Sequence, residues 1–408
     1  MKSQLQLLPF TLLLLAGTHA FATEETPAQD LLSFAAGALP VKQGGHAEAL
    51  RVGDAQAISA IDGNPTGYTL TPRPGGPDTV VTMTFELPAP TRFTHFEVPN
   101  VLETPSPSQT FVGRLEILGS SEGPDSGFDP LGAVDFSTHE ARGQVTRFDA
   151  VGERSVDWVR LVFSGGLDLQ REQTFFEFSE LRGFGAQAPV PMSDQFTGRW
   201  RDRGVRLELQ QSGSLVNGCY DDRGRLSGSV TGRTLYASGI NASDGTPSSF
   251  ILTVDGEGAI QGLRSSNGAP FRAYSGPATA TSGIADCDVT PSPELGCDSV
   301  VYGLRFAFDS ATLLPGSEES LTALVKGLGS SDVSVIVVEG HSSSEGDEAY
   351  NMGLSQRRAE AVVAALAERG LDPRRLSAQG FGETRPLASN EDEAGRTLNR
   401  RVEIRCPA

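Results

Sequence analysis

Between about Leu31 and Gly185 apolar and polar residues alternate with a period of two. Val81, Met83, Phe85 and Leu87 interleave with Val80, Thr82, Thr84 and Glu86. Phe111, Gly113, Leu115 and Ile117 repeat the pattern, and so do Val159, Leu161 and Phe163. Successive side chains of a strand point to opposite faces, so this predicts antiparallel strands with one buried and one wet face. Pro-, Gly- and Ser-rich runs at 71–78 and 119–127 separate the strands. The simplest architecture is a β-sandwich, a jelly roll, over residues 30–186. After a Pro/Ala linker at 186–192, shorter alternating runs at 205–209, 215–220 and 225–230 are punctuated by Asp244-Gly245 and Asp255-Gly256 turns. Residues 194–285 therefore read as an all-β meander, an up-and-down barrel or an incomplete one.

Past a linker at 286–298 the period changes. A strand over 303–308, a helix over 318–328 and a strand over 333–339 lead into a long helix from Asp347 to about Arg369. A final strand covers 401–405. Leu354, Ala361, Val362, Ala365 and Leu366 share one side of the long helix, and Gly370 with Pro373 beyond it supplies the stop. Residues 299–406 thus form an α+β domain, the third of a multidomain chain.

Composition narrows the function. The 408-residue chain carries 51 acidic against 33 basic residues, a formal charge of −18, which repels phosphate backbones and excludes nucleic acid as a partner. No run of about 18 apolar residues occurs, so no transmembrane helix is expected. A membrane β-barrel in the N-terminal half would need longer strands, aromatic girdles and fewer prolines. At the start, Lys2, an apolar stretch from Leu5 to Ala16 and Ala20-Phe21-Ala22 form a secretory signal peptide over 1–22. Export permits disulfides, and Cys219, Cys287, Cys297 and Cys406 allow three pairings. Cys287 with Cys297 would close a small loop; Cys219 with Cys287 and Cys297 with Cys406 would each close one domain. Their spacing fits no zinc pattern.

Catalytic motifs are lacking. None of the five histidines stands in a His-Glu-x-x-His arrangement. Gly119-Ser-Ser-Glu-Gly123 matches the nucleophile elbow in letters only, because Pro124 and a Gly/Asp/Pro run follow where a helix is required. The chain reads as a non-enzymatic protein.

Four spaced motifs in the last quarter carry the chemistry: Phe306-Ala-Phe-Asp-Ser-Ala-Thr-Leu313, Val337-Val-Glu-Gly-His341, Tyr350-Asn-Met-Gly-Leu-Ser-Gln-Arg-Arg-Ala359 and Asn399-Arg-Arg-Val-Glu-Ile404. Together they closely resemble the OmpA-like peptidoglycan-associated domain of bacterial envelope proteins. The resemblance implies a periplasmic module that holds the diaminopimelate residue of the peptidoglycan stem peptide non-covalently. The implied site comprises Arg358, Asn351, Leu354, Asp309, residue 343, and Arg400 or Arg401. Diaminopimelate ends in one ammonium and one carboxylate. A guanidinium grips a carboxylate with two parallel hydrogen bonds, so Arg358 is the expected anchor. Asn351 lies two turns earlier on the same helix face, and Arg400 or Arg401 would meet a second carboxylate. The family's Gly-His-Thr-Asp, whose Asp accepts the ligand ammonium, here reads Gly340-His341-Ser342-Ser343. Ser343 removes that carboxylate, which weakens binding unless Glu345 or Asp347 replaces the charge.

Ala60-Ile-Asp-Gly-Asn-Pro-Thr66 and Phe178-Ser-Glu-Leu-Arg-Gly-Phe-Gly185 resemble the two ends of a discoidin, or galactose-binding-like, domain. That resemblance implies a structural calcium held by Asp62, Asn64, Thr66 and Glu180, oxygen ligands suited to a hard cation. No other cofactor is expected. Where the family has Trp, Gly67-Tyr68 stands here. The combined expectation is an envelope protein of the periplasm, associated with the outer membrane and cell wall. Its C-terminal domain binds peptidoglycan, while the β-domains face a glycan or an envelope protein. The alternative is a glycan-binding, adhesin-like protein acting mainly through its N-terminal domain.

Overall fold

The computed structural model describes residues 30–63, 78–99, 112–136, 145–165, 178, 180–221, 223–280, 287, 295–304, 306, 310–313, 317–391 and 393–407. The expected signal peptide and, among the candidate site residues, Asn64, Thr66 and Asp309 lie outside these.

Seven strands form the first sheet: β1 (Leu39–Gly45), β2 (Val80–Pro99), β3 (Arg114–Ser120), β4 (Asp129–Asp135), β5 (Val145–Asp149), β6 (Val156–Ser164) and β7 (Arg182–Gln187). Two short helices, α1 (Ala47–Leu50) and α2 (Asp54–Ser59), follow β1. The organising element is β2. Its first half pairs with β1 and β6, and its second half pairs with β5 and β7. The register breaks between Glu86 and Thr91, where Pro88 and Pro90 cannot donate to a ladder. All seven strands consequently belong to one hydrogen-bonded sheet whose two halves share one core. Val81, Met83, Phe85, Leu115, Ile117, Val159, Leu161 and Phe163 are buried, as their alternation requires.

The second sheet is a meander of eight strands: β8 (Gly198–Asp202), β9 (Val205–Ser212), β10 (Leu215–Tyr220), β11 (Gly224–Thr231), β12 (Thr234–Asn241), β13 (Pro247–Val254), β14 (Ile260–Ser266) and β15 (Arg272–Ala273). Each strand pairs with its neighbours in sequence. Residues 276–279 then join the two ends, Ile260 exchanging backbone hydrogen bonds with Gly276 and Arg199 accepting one from Thr279 at 2.8 Å. The meander is thereby closed into a barrel around Trp200, Leu207, Tyr220, Phe250, Leu252 and Ile260.

The third unit is α+β. Its sheet has the order β16 (Val300–Val301), β19 (Val402–Arg405), β17 (Ile336–Gly340), β18 (Leu376–Gly380). Three helices, α3 (Glu318–Gly329), α4 (Glu348–Glu368) and α5 (Glu393–Asn399), accompany it. Strands β17 and β18 are parallel, with Gly340 level with Gly380, and α4 forms the crossover between them. Asp347 caps α4, and Gly370 ends it at φ +100°. Of the strand expected at 303–308, the described residues show a bridge between Phe306 and Leu313, and β16 takes the sheet edge.

Each unit has a core of its own, and that of the first sheet also takes in side chains of the other two. Ile251, Leu263 and Phe271 of the barrel, with Ala388, Ala394 and Leu398 of the last unit, continue the cluster of the first sheet. Tyr236 donates its hydroxyl to the carbonyl of Ala35, and Arg233 pairs with Glu86 at 3.1 Å. Among the described residues no helix is long and apolar enough to cross a membrane. The cysteines are joined as Cys219–Cys287 and Cys297–Cys406.

The second bridge links the start of the α+β unit to its last strand, 109 residues apart. Closing a loop of that length restricts the unfolded chain and stabilises by about 4 kcal/mol. Replacing both Cys297 and Cys406 by alanine is expected to lower the urea midpoint by the corresponding amount. Reductant should then leave only the smaller effect of the Cys219–Cys287 bridge.

Candidate functional site

The loops after two adjacent parallel strands leave the same end of the sheet, and the region bounded by those loops and the crossover helix is the candidate crevice. Here β17 and β18 end side by side, and both following loops cross the first turns of α4. Ser342 donates its backbone N–H to Gly382 at 2.9 Å, so residues 341–345 and 381–385 run against each other. Gly382 donates to Ser355 Oγ at 2.8 Å, at φ +51°. A Cβ there would lie 3.0 Å from the backbone nitrogen of Met352, so glycine is what permits this approach.

The buried face of α4 is partly polar. Asn351, Ser355 and Arg358 are buried beside Leu354, Ala359, Val362, Ala365 and Leu366. Arg358 Nε donates to the carbonyl of Ser310 at 3.0 Å, and its guanidinium lies 5.0 Å from the centre of the Phe306 ring. Asn351 Nδ2 donates to Glu383 Oε2 at 2.6 Å. Ser343 is buried, its hydroxyl 3.4 Å from Glu345 Oε2. Glu345 in turn meets Arg400 at 3.2 Å and Arg396 at 3.6 Å.

The structure thus brings Ser343, Asn351, Leu354 and Arg358 to one end of the sheet, with Arg400 beside Glu345 at the rim. Arg401 requires a correction. Its side chain is 2% exposed and donates to Glu403 Oε1 at 2.7 Å and to the carbonyls of Asn399 and Arg385, so it cannot reach a ligand carboxylate. Asp347 is committed to the cap of α4, accepting from Ala349 N at 2.9 Å. Sequence reasoning missed Glu383 and Arg396. Glu383 follows β18, a five-residue strand whose apolar alternation is only Leu376 and Ala378.

Beneath the crevice, Glu339, His341 and Glu403 bring three metal-capable ligand atoms within 4.8 Å of one another. Arg401 and Arg405 pair with Glu403, however, and Arg385 and Arg405 with Glu339, at 3.5 and 3.8 Å in the latter two contacts. Guanidinium groups already neutralise both carboxylates, so the group is a buried charge network with no deficit for a cation to fill. His341 stacks on Phe381, and neither of its ring nitrogens has a hydrogen-bond partner. Burial, reinforced by the Arg401 charge, lowers its pKa to about 4.

In the N-terminal sheet, Glu180 is fully buried. Its Oε1 accepts from Gly63 N at 3.0 Å, while Oε2 has no hydrogen-bond partner among the described residues. Burial, then the neighbouring carboxylates of Asp62 and Asp30, raise its pKa well above the usual range. An orphaned buried oxygen beside a second carboxylate fits the oxygen set of a calcium site. At the serine of the elbow-like letters, Ser120 Oγ donates to Ser126 O at 2.6 Å and accepts from the N–H groups of Glu122 and Gly123. That hydroxyl holds a turn.

Comparison with known proteins adds a family. The model described as the OmpA family matches residues 305–400. Outer membrane protein A of Bordetella avium is 38% identical over 135 residues, covering 31% of this chain and 70% of that protein. The peptidoglycan-associated lipoprotein of Pseudomonas aeruginosa is 36% identical over 126 residues, covering 31% of this chain and 73% of its own length. Among solved structures, the peptidoglycan-associated lipoprotein from Burkholderia pseudomallei is 32% identical, covers 25% of this chain and 86% of its own, and has a TM-score of 0.24.

The charge network has a measurable consequence. Unfolded, His341 takes a proton near its ordinary 6.5, whereas folded it does so only near 4. Between those values the unfolded chain binds more protons, so stability is expected to fall as pH falls through this window. His341→Phe should remove most of that slope in urea midpoints measured across the range. A residual slope is expected from Glu403, which burial pushes up but Arg401 holds below the usual carboxylate range.

Proposed function

The chain belongs to the OmpA family, and from that premise we propose that its C-terminal domain binds peptidoglycan non-covalently through the diaminopimelate residue of the stem peptide. The observation that carries this reading is Arg358: a guanidinium buried on α4, steered by Ser310 O and Phe306, in line with Asn351 at the carboxyl ends of β17 and β18. A buried arginine is suited to a carboxylate, which its planar group grips bidentately. Arg400 at the rim is the second cation of the site, for a further carboxylate of the stem peptide. The relatives, an outer membrane protein and a peptidoglycan-associated lipoprotein, point to the same cell-envelope setting. In this reading the chain is a non-enzymatic tether, located in the periplasm against the cell wall.

A second reading concerns the N-terminal sheet, as a discoidin-like module that holds a structural calcium and meets a glycan or an envelope protein. It is favoured by the orphaned Glu180 Oε2 beside Asp62. These two residues would supply carboxylate oxygens to the ion.

Two measurements test these readings. Wild-type protein is expected to sediment with purified sacculi and Arg358→Ala to remain in solution, with Arg358→Lys retaining weak binding. Unchanged sedimentation of a folded Arg358→Ala variant would overturn the site. For calcium, millimolar ion is expected to raise the melting temperature relative to chelator, and Glu180→Gln to abolish the increment. Without the ion, Glu180→Gln should be the more stable form at neutral pH, because a carboxyl with raised pKa loses its stabilising contribution as pH rises. A wild type indifferent to calcium would show that the acid is simply protonated.

A further inference from the structure

The pocket reading leaves the ligand ammonium without its usual partner, because Ser343 stands where the family has Asp. Three carboxylates lie near enough to be weighed. Asp347 caps α4, accepting from Ala349 N and Tyr350 N, so its charge is directed at the helix terminus. Glu345 lies between Arg396 at 3.6 Å and Arg400 at 3.2 Å, and two guanidinium groups satisfy it. Glu383 differs from both. Among the described residues it accepts a hydrogen bond only from the neutral amide of Asn351, at 2.6 Å, and no guanidinium or ammonium pairs with it. It is partly exposed, one residue past the backbone contact that joins Gly382 to Ser342.

We propose that Glu383 supplies the anion for the ligand ammonium, in place of the carboxylate lost at Ser343. Asn351 engages Oε2 and fixes the carboxylate plane, leaving Oε1 with its lone pairs for an N⁺–H donor. Arg358 and Glu383 then read the two ends of a zwitterion from different elements, the helix and the loop after β18. A carboxylate restrained by a neutral amide retains its full charge for the ligand, which is why this residue outranks Glu345. The inference rests on the peptidoglycan reading and adds one residue to it, the anion that meets the ligand ammonium.

The test uses the full-length oxidised protein and two synthetic stem tripeptides. One contains diaminopimelate, and the other has its side-chain amine replaced by hydrogen. Calorimetric titration of wild type is expected to favour the amine-bearing peptide by about tenfold or more, as charge-assisted hydrogen bonds require. Glu383→Gln keeps an oxygen for Asn351 and should erase the preference between the two peptides. Adding Ser343→Asp to Glu383→Gln should restore it, which also shows that the variant is folded. Glu345→Gln should leave the preference intact. A preference that survives Glu383→Gln, or that disappears with Glu345→Gln instead, overturns the inference while Arg358-dependent binding stands. If wild type binds neither peptide and no sacculi, the peptidoglycan reading fails, and this inference with it.

Discussion

Burying an arginine costs several kilocalories per mole unless its donors meet acceptors and its flat faces meet carbon, and the C-terminal domain is arranged to meet that condition at Arg358. The side chain leaves the buried face of α4, where an aliphatic residue would pack at no electrostatic cost. Ser310 O takes its Nε–H, and the ring of Phe306 lies against the guanidinium plane. Residues 306 and 310 thus contribute an aromatic face and a backbone carbonyl, a supporting role that explains their place in the motif. With the guanidinium fixed, the orientation of α4 fixes Asn351 two turns away, and Asn351 fixes Glu383. The parallel pairing of β17 with β18 makes this possible, because it brings two loops to the same end of the sheet.

Neither the barrel nor the first sheet is an appendage to that domain. Every residue of β13 from Ser248 to Val254 is buried. Phe250, Leu252 and Val254 fill the barrel, while Ile251 on the opposite face joins the core of the first sheet. A strand covered on both faces inside a meander is otherwise a feature of sheets packed between layers. Helix α5 is drawn into the same shared core through Ala394 and Leu398, while its Arg396 and the adjacent Arg400 hold Glu345 at the rim of the crevice. The β-domains therefore support one wall of the candidate site.

What the sequence revealed followed from periodicity and capping. Alternation located the strands around Met83, Leu115 and Leu161, and Asp347 with Gly370 bracketed α4 to within a residue. The α+β character and the OmpA-like motifs were legible for the same reason, since their residues are close in sequence. What was hidden depends on tertiary context. Strand β18 reads Leu-Ser-Ala-Gln-Gly, with no residue fully buried, and it is a strand because β17 offers it a ladder. Arg400 and Arg401 are neighbours with opposite fates, one at the rim and one sealed against Glu403, a distinction that only the direction of β19 decides. The extension of the first sheet's core into the other units could not be read either, because Ile251 looks like any outward position of a meander strand.

Charge distribution supplies the last step. A chain with a formal charge of −18 repels an anionic wall polymer at long range, and that repulsion is screened beyond about 8 Å at physiological ionic strength. Contact is therefore decided by the few groups within one screening length of the ligand. Near the candidate site these include Arg358, Arg396 and Arg400 with Glu345, Asp347 and Glu383, charges of both signs set close together inside an acidic protein. Glu345 draws two of the arginines together, while Glu383 meets only the neutral amide of Asn351 among the described residues. An acidic surface with such a crevice slows encounter but leaves the bound state intact, so association rates should depend on salt far more than dissociation rates.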